Sequence, residues 1–232
     1  LQTQEALRRA AVTNSNVLLA GESGTGKEMF ARTLHKWGPK QHDQFVAVHC
    51  ATRPVELLEG QLFGAKAGLV AGTKGELPGY LRQPTTGTIY LDEVSQLPLS
   101  TQDKLLRAIE YQEITPLGST AAAKTQARIV AATTKDLSQE VAAGRFQEDL
   151  FYRLDGVTIR IPPLRERLDD VPELVEFFIA KHARAMGQTV TGATSETIRL
   201  LMLNAWKGNV RQLDNAIERA VMMCDGLQIR PN

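Results

Sequence analysis

The run Val17-Leu18-Leu19-Ala20-Gly21-Glu22-Ser23-Gly24-Thr25-Gly26-Lys27-Glu28 joins four apolar residues to a glycine-rich turn and then to a helix-forming stretch. A buried strand feeding such a turn and a helix is the layout of a phosphate-binding loop. Backbone N–H groups and the helix N-terminus face the anion, and the lysine, here Lys27, reaches the outer phosphates. The glycines permit a turn and a close approach that a Cβ would obstruct. Glu28 stands where such loops usually offer a Ser or Thr hydroxyl to Mg²⁺. The ion would then be held by phosphate oxygens, water and a carboxylate elsewhere. A glycine-rich turn with no ligand is the plainer alternative.

The missing carboxylate is found in Thr88-Ile89-Tyr90-Leu91-Asp92-Glu93, where a β-rich apolar run ends in two adjacent acids after the turn-like Thr85-Thr86-Gly87. At the carboxyl end of a strand in an open α/β sheet, such acids face the crevice where ligands bind. Asp92 is expected to hold Mg²⁺ through water, and Glu93 to polarise the water that attacks a γ-phosphate. An Asp-Glu pair by itself is often only a solvated loop. Downstream of a phosphate loop it reads as a Walker B partner.

The bulk composition excludes several classes. The chain has 232 residues, 43% hydrophobic and 23% charged, in the ordinary range for a globular protein with a substantial core. Its formal net charge is +1, so no overall electrostatic footprint for nucleic acid is present. Cys50 and Cys224 lie far apart without a CxxC spacing and are expected as buried thiols of a reducing compartment. No apolar stretch approaches a membrane span and no secretory pattern opens the chain, which predicts a cytoplasmic location. The opening residues read as an amphipathic helix (Ala6, Leu7, Ala10, Ala11), and the chain looks like a segment of a larger protein.

Strand-like runs recur at residues 17–20, 45–49, 89–91, 129–132 and 157–161, with helical patterns at 27–37, 55–62, 100–110 and 137–143. Such alternation predicts an α/β domain with a parallel sheet covered by helices. After Ile161-Pro162-Pro163-Leu164 the β pattern stops and helices are expected at 171–184, 195–204 and 210–223. The double proline therefore divides the chain into an α/β nucleotide-binding domain, 1–163, and a small all-helical domain, 164–232.

Two further stretches can carry chemistry. The strand-like residues 128–132 end in Thr133-Thr134, hydroxyls suited to sensing a γ-phosphate or its attacking water, although strand-end threonines commonly serve as turn residues. Residues 146–154, Phe-Gln-Glu-Asp-Leu-Phe-Tyr-Arg-Leu, form a short amphipathic segment presenting Arg153. By composition, pairing of Arg153 with a local carboxylate is the favoured reading.

Together these residues resemble the AAA+ domain of bacterial enhancer-binding proteins, activators that remodel RNA polymerase carrying sigma-54. The resemblance spans essentially the whole chain. It rests on GESGTGKE (21–28), ELLEGQLFG (56–64), GTIYLDEV (87–94), QDKLLRAIE (102–110), EDLFYRL (148–154), PPLRERLDD (162–170) and WKGNVRQL (206–213). It implies an AAA+ P-loop NTPase fold with a helical lid, and a homo-oligomeric ring, a hexamer when active, that binds Mg-ATP between subunits. It also implies contact with RNA polymerase holoenzyme, and with DNA through a domain outside this segment. By resemblance, Gly21, Glu22, Ser23, Gly24, Thr25, Gly26, Lys27 and Glu28 bind the nucleotide, Asp92 and Glu93 serve metal and water, and Thr133 is a sensor. Arg211 is the sensor arginine of the lid and Arg153 resembles a finger arginine.

The chain departs from the family at three places. Members that engage sigma-54 carry Gly-Ala-Phe-Thr-Gly-Ala where this chain has Gly68-Leu69-Val70-Ala71-Gly72-Thr73, so an aromatic ring and a hydroxyl suited to gripping a partner are replaced. Gln147 replaces one of two finger-like arginines, and a finger can be worth roughly 10³–10⁵ in rate. His49 stands where the family has an Asn that restrains the catalytic Glu, and a neutral His can still bond a carboxylate. The three together predict a nucleotide-gated regulator module, independent of sigma-54, with weak or no hydrolysis. Cyclic di-GMP, bound by some divergent members, is a further candidate ligand. An active ATPase ring that remodels polymerase is the rival, and a scaffold with an empty pocket the third reading.

Overall fold

The computed structural model describes residues 2–52, 54–83 and 85–231, so Leu1 and Asn232, the outer ends of the two expected domains, lie outside the described residues. The chain falls into two compact units, one made of residues 1–20 and 27–160, the other of residues 21–26 and 161–232.

In the first unit, α1 (Gln2–Ala11), β1 (Val17–Ala20), α2 (Lys27–Lys36), β2 (Gln44–His49), α3 (Val55–Phe63), β3 (Thr86–Asp92) and α4 (Leu99–Glu110) follow one another. A two-residue hairpin, β4 (Glu113–Ile114) and β5 (Ala123–Lys124), leads to β6 (Arg128–Thr133), α5 (Leu137–Ala142), α6 (Glu148–Leu154) and β7 (Thr158–Arg160). Five strands form one parallel sheet in the order β2-β3-β6-β1-β7, as the alternation of strands and helices predicts. The middle strands β3 and β6 are buried along almost their whole length because both faces are covered. All six residues of β6 are buried, and so are the first six of β3.

Two local readings are corrected. Thr86 and Gly87 belong to β3 rather than to a turn. A Cβ on Gly87 would lie 2.5 Å from that of Asp43, so only glycine lets the segment before β2 pass over the strand. In α1 the buried side is Leu7, Ala10 and Ala11, with Ala6 exposed.

Arg128, at the start of β6, is a buried cation that works through backbone carbonyls. Its guanidinium donates to Ala10 O (2.7 Å), Ala11 O (3.4 Å), Ser15 O (3.0 Å) and Leu34 O (3.5 Å). All but Ser15, which lies in the connection to β1, are in the last turns of α1 and α2, where a helix leaves acceptors unpaired and its dipole favours positive charge.

The second unit contains α7 (Val171–Met186), α8 (Ser195–Met202) and α9 (Asn209–Met222), built around a core in which Val171, Val175 and Ile179 pack with Leu213, Ile217 and Val221. The spacing of four puts each trio on one helix face. Pro172 sits in the first turn of α7, Gly187 ends it in the left-handed conformation, and the Thr194 side chain caps α8. This unit is not purely helical: β8 (Gly192–Ala193) and β9 (Gln228–Ile229) form a two-residue parallel pair. Cys50 is buried as expected, whereas Cys224 is half-buried. Among the described residues no helix is long and apolar enough to cross a membrane.

Candidate functional site

The two acids at the end of β3 diverge. Asp92 continues the strand and lies on the same face as Tyr90, whose hydroxyl donates to its Oδ1 at 2.9 Å. Parallel register sets His49 of β2 opposite Asp92, and His49 Nδ1 meets Oδ2 at 2.9 Å. Burial, reinforced by the charge of Asp92, raises the pKa of Tyr90, so its hydroxyl keeps its proton. The same causes, burial first, push the Cys50 thiol up to about 12.

Glu93 leaves the strand with φ +56°, a left-handed conformation that side chains with a Cβ rarely adopt and that clusters at functional sites. This turn carries its carboxylate to the end of β6, where Oε2 accepts from Thr134 N (3.2 Å) and Thr134 Oγ1 (2.9 Å). Its Oε1 lies 3.9 Å from Nζ of the buried Lys27. Lys27, Glu93 and Thr134 thus converge at the carboxyl ends of β1, β3 and β6, where ligands bind in open α/β sheets.

The two strand-end threonines take different partners, and the expected partner of His49 changes. The hydroxyl that reaches Glu93 belongs to Thr134; Thr133 is buried and its Oγ1 is occupied with Lys135 O (3.1 Å) and Lys135 N (3.0 Å). The carboxylate met by His49 is that of Asp92, because cross-strand register places His49 opposite Asp92 while the backbone turn carries Glu93 away.

The loop 21–26 belongs to the second unit. Arg165 donates to both oxygens of Glu22 (2.9 and 2.7 Å), and Asn209 Nδ2 donates to Glu22 Oε2 (3.1 Å) and Ser23 O (3.0 Å). Arg211 reaches Ser23 Oγ at 3.1 Å with its side chain and Gly24 O at 3.2 Å with its backbone N–H. Arg167 donates to Thr25 O at 2.9 Å. Hydrogen bonds from Arg165 and then Asn209 hold the Glu22 carboxyl down at about 2. Gly24 has φ +77°, and a Cβ there would lie 2.4 Å from Gly208 O, so the position demands glycine twice over. Gly21 is equally confined, with Ile161 O 2.8 Å from its would-be Cβ, while Gly26 is required by its φ of +96° alone.

Asn209 is the residue that sequence reasoning missed here. It is completely buried with φ +53°, and its Oδ1 accepts from Leu164 N at 2.8 Å. Its position inside WKGNVRQL, two residues before Arg211, was the available hint. Asn tolerates the left-handed region better than most residues.

The remaining candidates lie on the first unit. Glu28 is paired with Arg32 on the surface of α2 (3.0 and 2.7 Å). Arg153 bonds Glu110 of α4 at 2.5 Å, so it pairs with a carboxylate as composition favoured, but with one distant in the chain rather than a local one. Gln147 Nε2 bonds Asp103 Oδ1 (2.5 Å) and Leu99 O (3.3 Å). In the loop 68–73, Val70 is buried over Gly60 of α3, its Cγ2 3.0 Å from where a Gly60 Cβ would be, and Leu69 is half-exposed.

Residues 1–160 match the family model described as the Sigma-54 interaction domain, and residues 165–232 match the AAA+ ATPase lid domain. The chain is 45% identical over 219 residues to a Nif-specific regulatory protein of Azotobacter vinelandii, covering 94% of this chain and 42% of that protein. It is 42% identical over 230 residues to the response regulator protein FleR of Pseudomonas aeruginosa, covering 99% and 49%. The crystal structure of NtrX from Brucella abortus in complex with ADP superposes with a TM-score of 0.86 at 36% identity, over 96% of this chain and 48% of that one. The same protein in complex with ATP gives 0.82 at 34% identity, over 96% and 50%. The chain spans less than half the length of these two regulatory proteins.

Proposed function

Because the chain belongs to the Sigma-54 interaction domain family, we propose that it is the central nucleotide-binding AAA+ module of a bacterial DNA-binding transcription regulator. The observation that carries this reading is the convergence of buried Lys27 with Glu93, itself held by Thr134, at the ends of three neighbouring parallel strands. The similar NtrX structures hold ADP and ATP. Residues 21–28 and Arg211 would bind the phosphates, as a glycine-rich loop before a helix N-terminus is suited to do. Asp92 offers oxygen donors that suit a hard cation such as Mg²⁺. When bound, Mg²⁺ would neutralise charge on the phosphate oxygens. Glu93 would orient a water and Thr134 would hold Glu93 in place. Thr133, with its hydroxyl tied to Lys135, would act on that site through the turn it stabilises.

We further propose that hydrolysis is weak and that the module works without sigma-54. Gln147 is neutral and already bonded to Asp103 and Leu99, leaving Arg153 as the one finger-like arginine. Val70 is turned into the protein, where a partner could not grip it. Mg-ATP bound at subunit interfaces would then control ring assembly, and through it the contacts of the whole regulator with DNA and RNA polymerase holoenzyme.

The test is steady-state ATP hydrolysis across protein concentrations, with Lys27→Ala and Gln147→Arg in parallel. The proposal expects ATP binding that Lys27→Ala abolishes, slow turnover, and a large gain for Gln147→Arg. Fast turnover that rises with concentration in the unaltered protein would instead establish the active ATPase ring. Cyclic di-GMP is run as a competing ligand; a thermal shift with it that survives Lys27→Ala would place a second ligand outside the phosphate loop.

A further inference from the structure

The Asp92 carboxylate is held at both oxygens, by Tyr90 on Oδ1 and His49 on Oδ2. A buried phenol needs a hydrogen-bond partner, and the partner of this one is the acid two residues along its own strand. The ring of Tyr90 has little freedom to leave. It is about 1% exposed and stacks on Phe45 of β2 with centroids 6.2 Å apart and planes at 19°. Phe45 is itself covered by the Arg32 guanidinium, 4.6 Å from its centroid, and flanked by His35 at 5.6 Å. His35 Nδ1 in turn meets Thr88 Oγ1 at 2.9 Å, so Thr88, Tyr90 and Asp92 form one polar line down a single face of β3. His49 is half-exposed, so of the two groups on Asp92 the tyrosine is the fixed one.

We propose that Tyr90 is a positioning residue that, with His49 on the second oxygen, fixes the plane of the Asp92 carboxylate for the divalent cation of a bound nucleotide. This rests on the nucleotide reading above. Each Asp92 oxygen spends one lone pair on its donor and keeps another to offer the cation or a water of its shell. Groups that orient a ligating carboxylate from behind typically account for 10–100-fold in metal affinity. A phenylalanine at residue 90 would fill the same space and leave Oδ1 free to rotate.

The experiment titrates Mn²⁺ into the ADP-bound protein and follows the free ion by electron paramagnetic resonance, for the unaltered protein, Tyr90→Phe and His49→Ala. ADP affinity in EDTA is measured alongside. The expected result is unchanged metal-free ADP binding with Mn²⁺ affinity lowered about ten-fold or more in Tyr90→Phe. His49→Ala, at a half-exposed site, should weaken Mn²⁺ as well while folding normally. A lower melting temperature in Tyr90→Phe with unchanged Mn²⁺ affinity would make the hydroxyl a folding element only and overturn the proposal. If Tyr90→Phe does not fold, unaltered Mn²⁺ affinity in His49→Ala overturns it. Failure of the unaltered protein to bind ADP at all would instead defeat the nucleotide reading, a separate and recognisable outcome.

Discussion

Arg165 grips Glu22 with both terminal nitrogens, Nη1 2.9 Å from Oε2 and Nη2 2.7 Å from Oε1. The two residues are far apart in the chain, and their pairing anchors the start of the glycine-rich loop to the segment that follows the double proline. Fork-to-fork pairs of this kind fix geometry as well as charge, which a lysine could not do. The loop is thus held by residues of the C-terminal segment, although in sequence it belongs between β1 and α2.

This pair sets a pH dependence. The Glu22 carboxyl drops from 4.5 to about 2 because its charged form is hydrogen-bonded in the folded state. A depressed carboxyl contributes stability that is fully present above the unfolded value, 4.5, and is lost as pH falls towards 2. Melting curves of Glu22→Gln should therefore vary less with pH over that window than those of the unaltered protein. Glu140, held at about 2 by Arg145, remains as common background in both. Parallel curves would refute the assignment.

Asn209 should prove sensitive out of proportion to its size. Asn209→Ala removes the acceptor of Leu164 N and the donor to Glu22 and Ser23, and at φ +53° it exchanges Asn for a residue that tolerates the left-handed region less well. Leaving buried groups unpaired costs about 1–3 kcal/mol each, so a loss of about 3 kcal/mol in urea denaturation is expected. Asn209→Gly keeps the backbone relaxed and should lose less. Equal losses in both would show that conformation contributes nothing there.

Arg128→Met is expected to destabilise the first unit by about 3 kcal/mol, because hydrogen bonds to a charged group are worth about 1.5–3 kcal/mol and several carbonyls lose their donor. The readout is thermal unfolding together with amide exchange of α1 and α2. The ends of those helices should fray first, since the guanidinium caps both. Protection unchanged at Ala10 and Leu34 would contradict that role.

Thr134→Ala should leave ADP binding intact and slow whatever ATP turnover the protein has by about ten-fold or more, since displacing a reacting group by about 1 Å can cost 10²-fold. Thr134 N would still donate to Glu93, so the effect should be smaller than that of Glu93→Gln. Single-turnover kinetics of the two variants gives the comparison. Thr134→Ala matching the unaltered rate would mean that the backbone bond alone holds Glu93.

Much of the architecture was readable locally. The strand at 17–20 matches its expected bounds, and α2, α3, α4 and α9 depart from theirs by a residue or so at an end. Periodicity over a few residues and a glycine-rich turn suffice for such elements, because burial of one face and backbone freedom are properties of neighbours in sequence. The hairpin β4–β5 and the pair β8–β9 were not legible: two residues carry no period, and each strand exists only because its partner is nearby.

By itself the sequence determined the glycine-rich turn between β1 and α2, the strand-end acids and the alternation that makes a parallel sheet, all written in contiguous residues. Tertiary structure decided which groups those acids meet. Register put His49 opposite Asp92, strand pleat put Tyr90 beneath it, and one left-handed residue swung Glu93 over to Thr134 and Lys27. The grip of Arg165, Asn209 and Arg211 on the loop likewise depends on segments brought together by folding. Hydrogen bonds act only within about 3 Å, and distance in space between residues far apart in the chain is not a property of any local stretch.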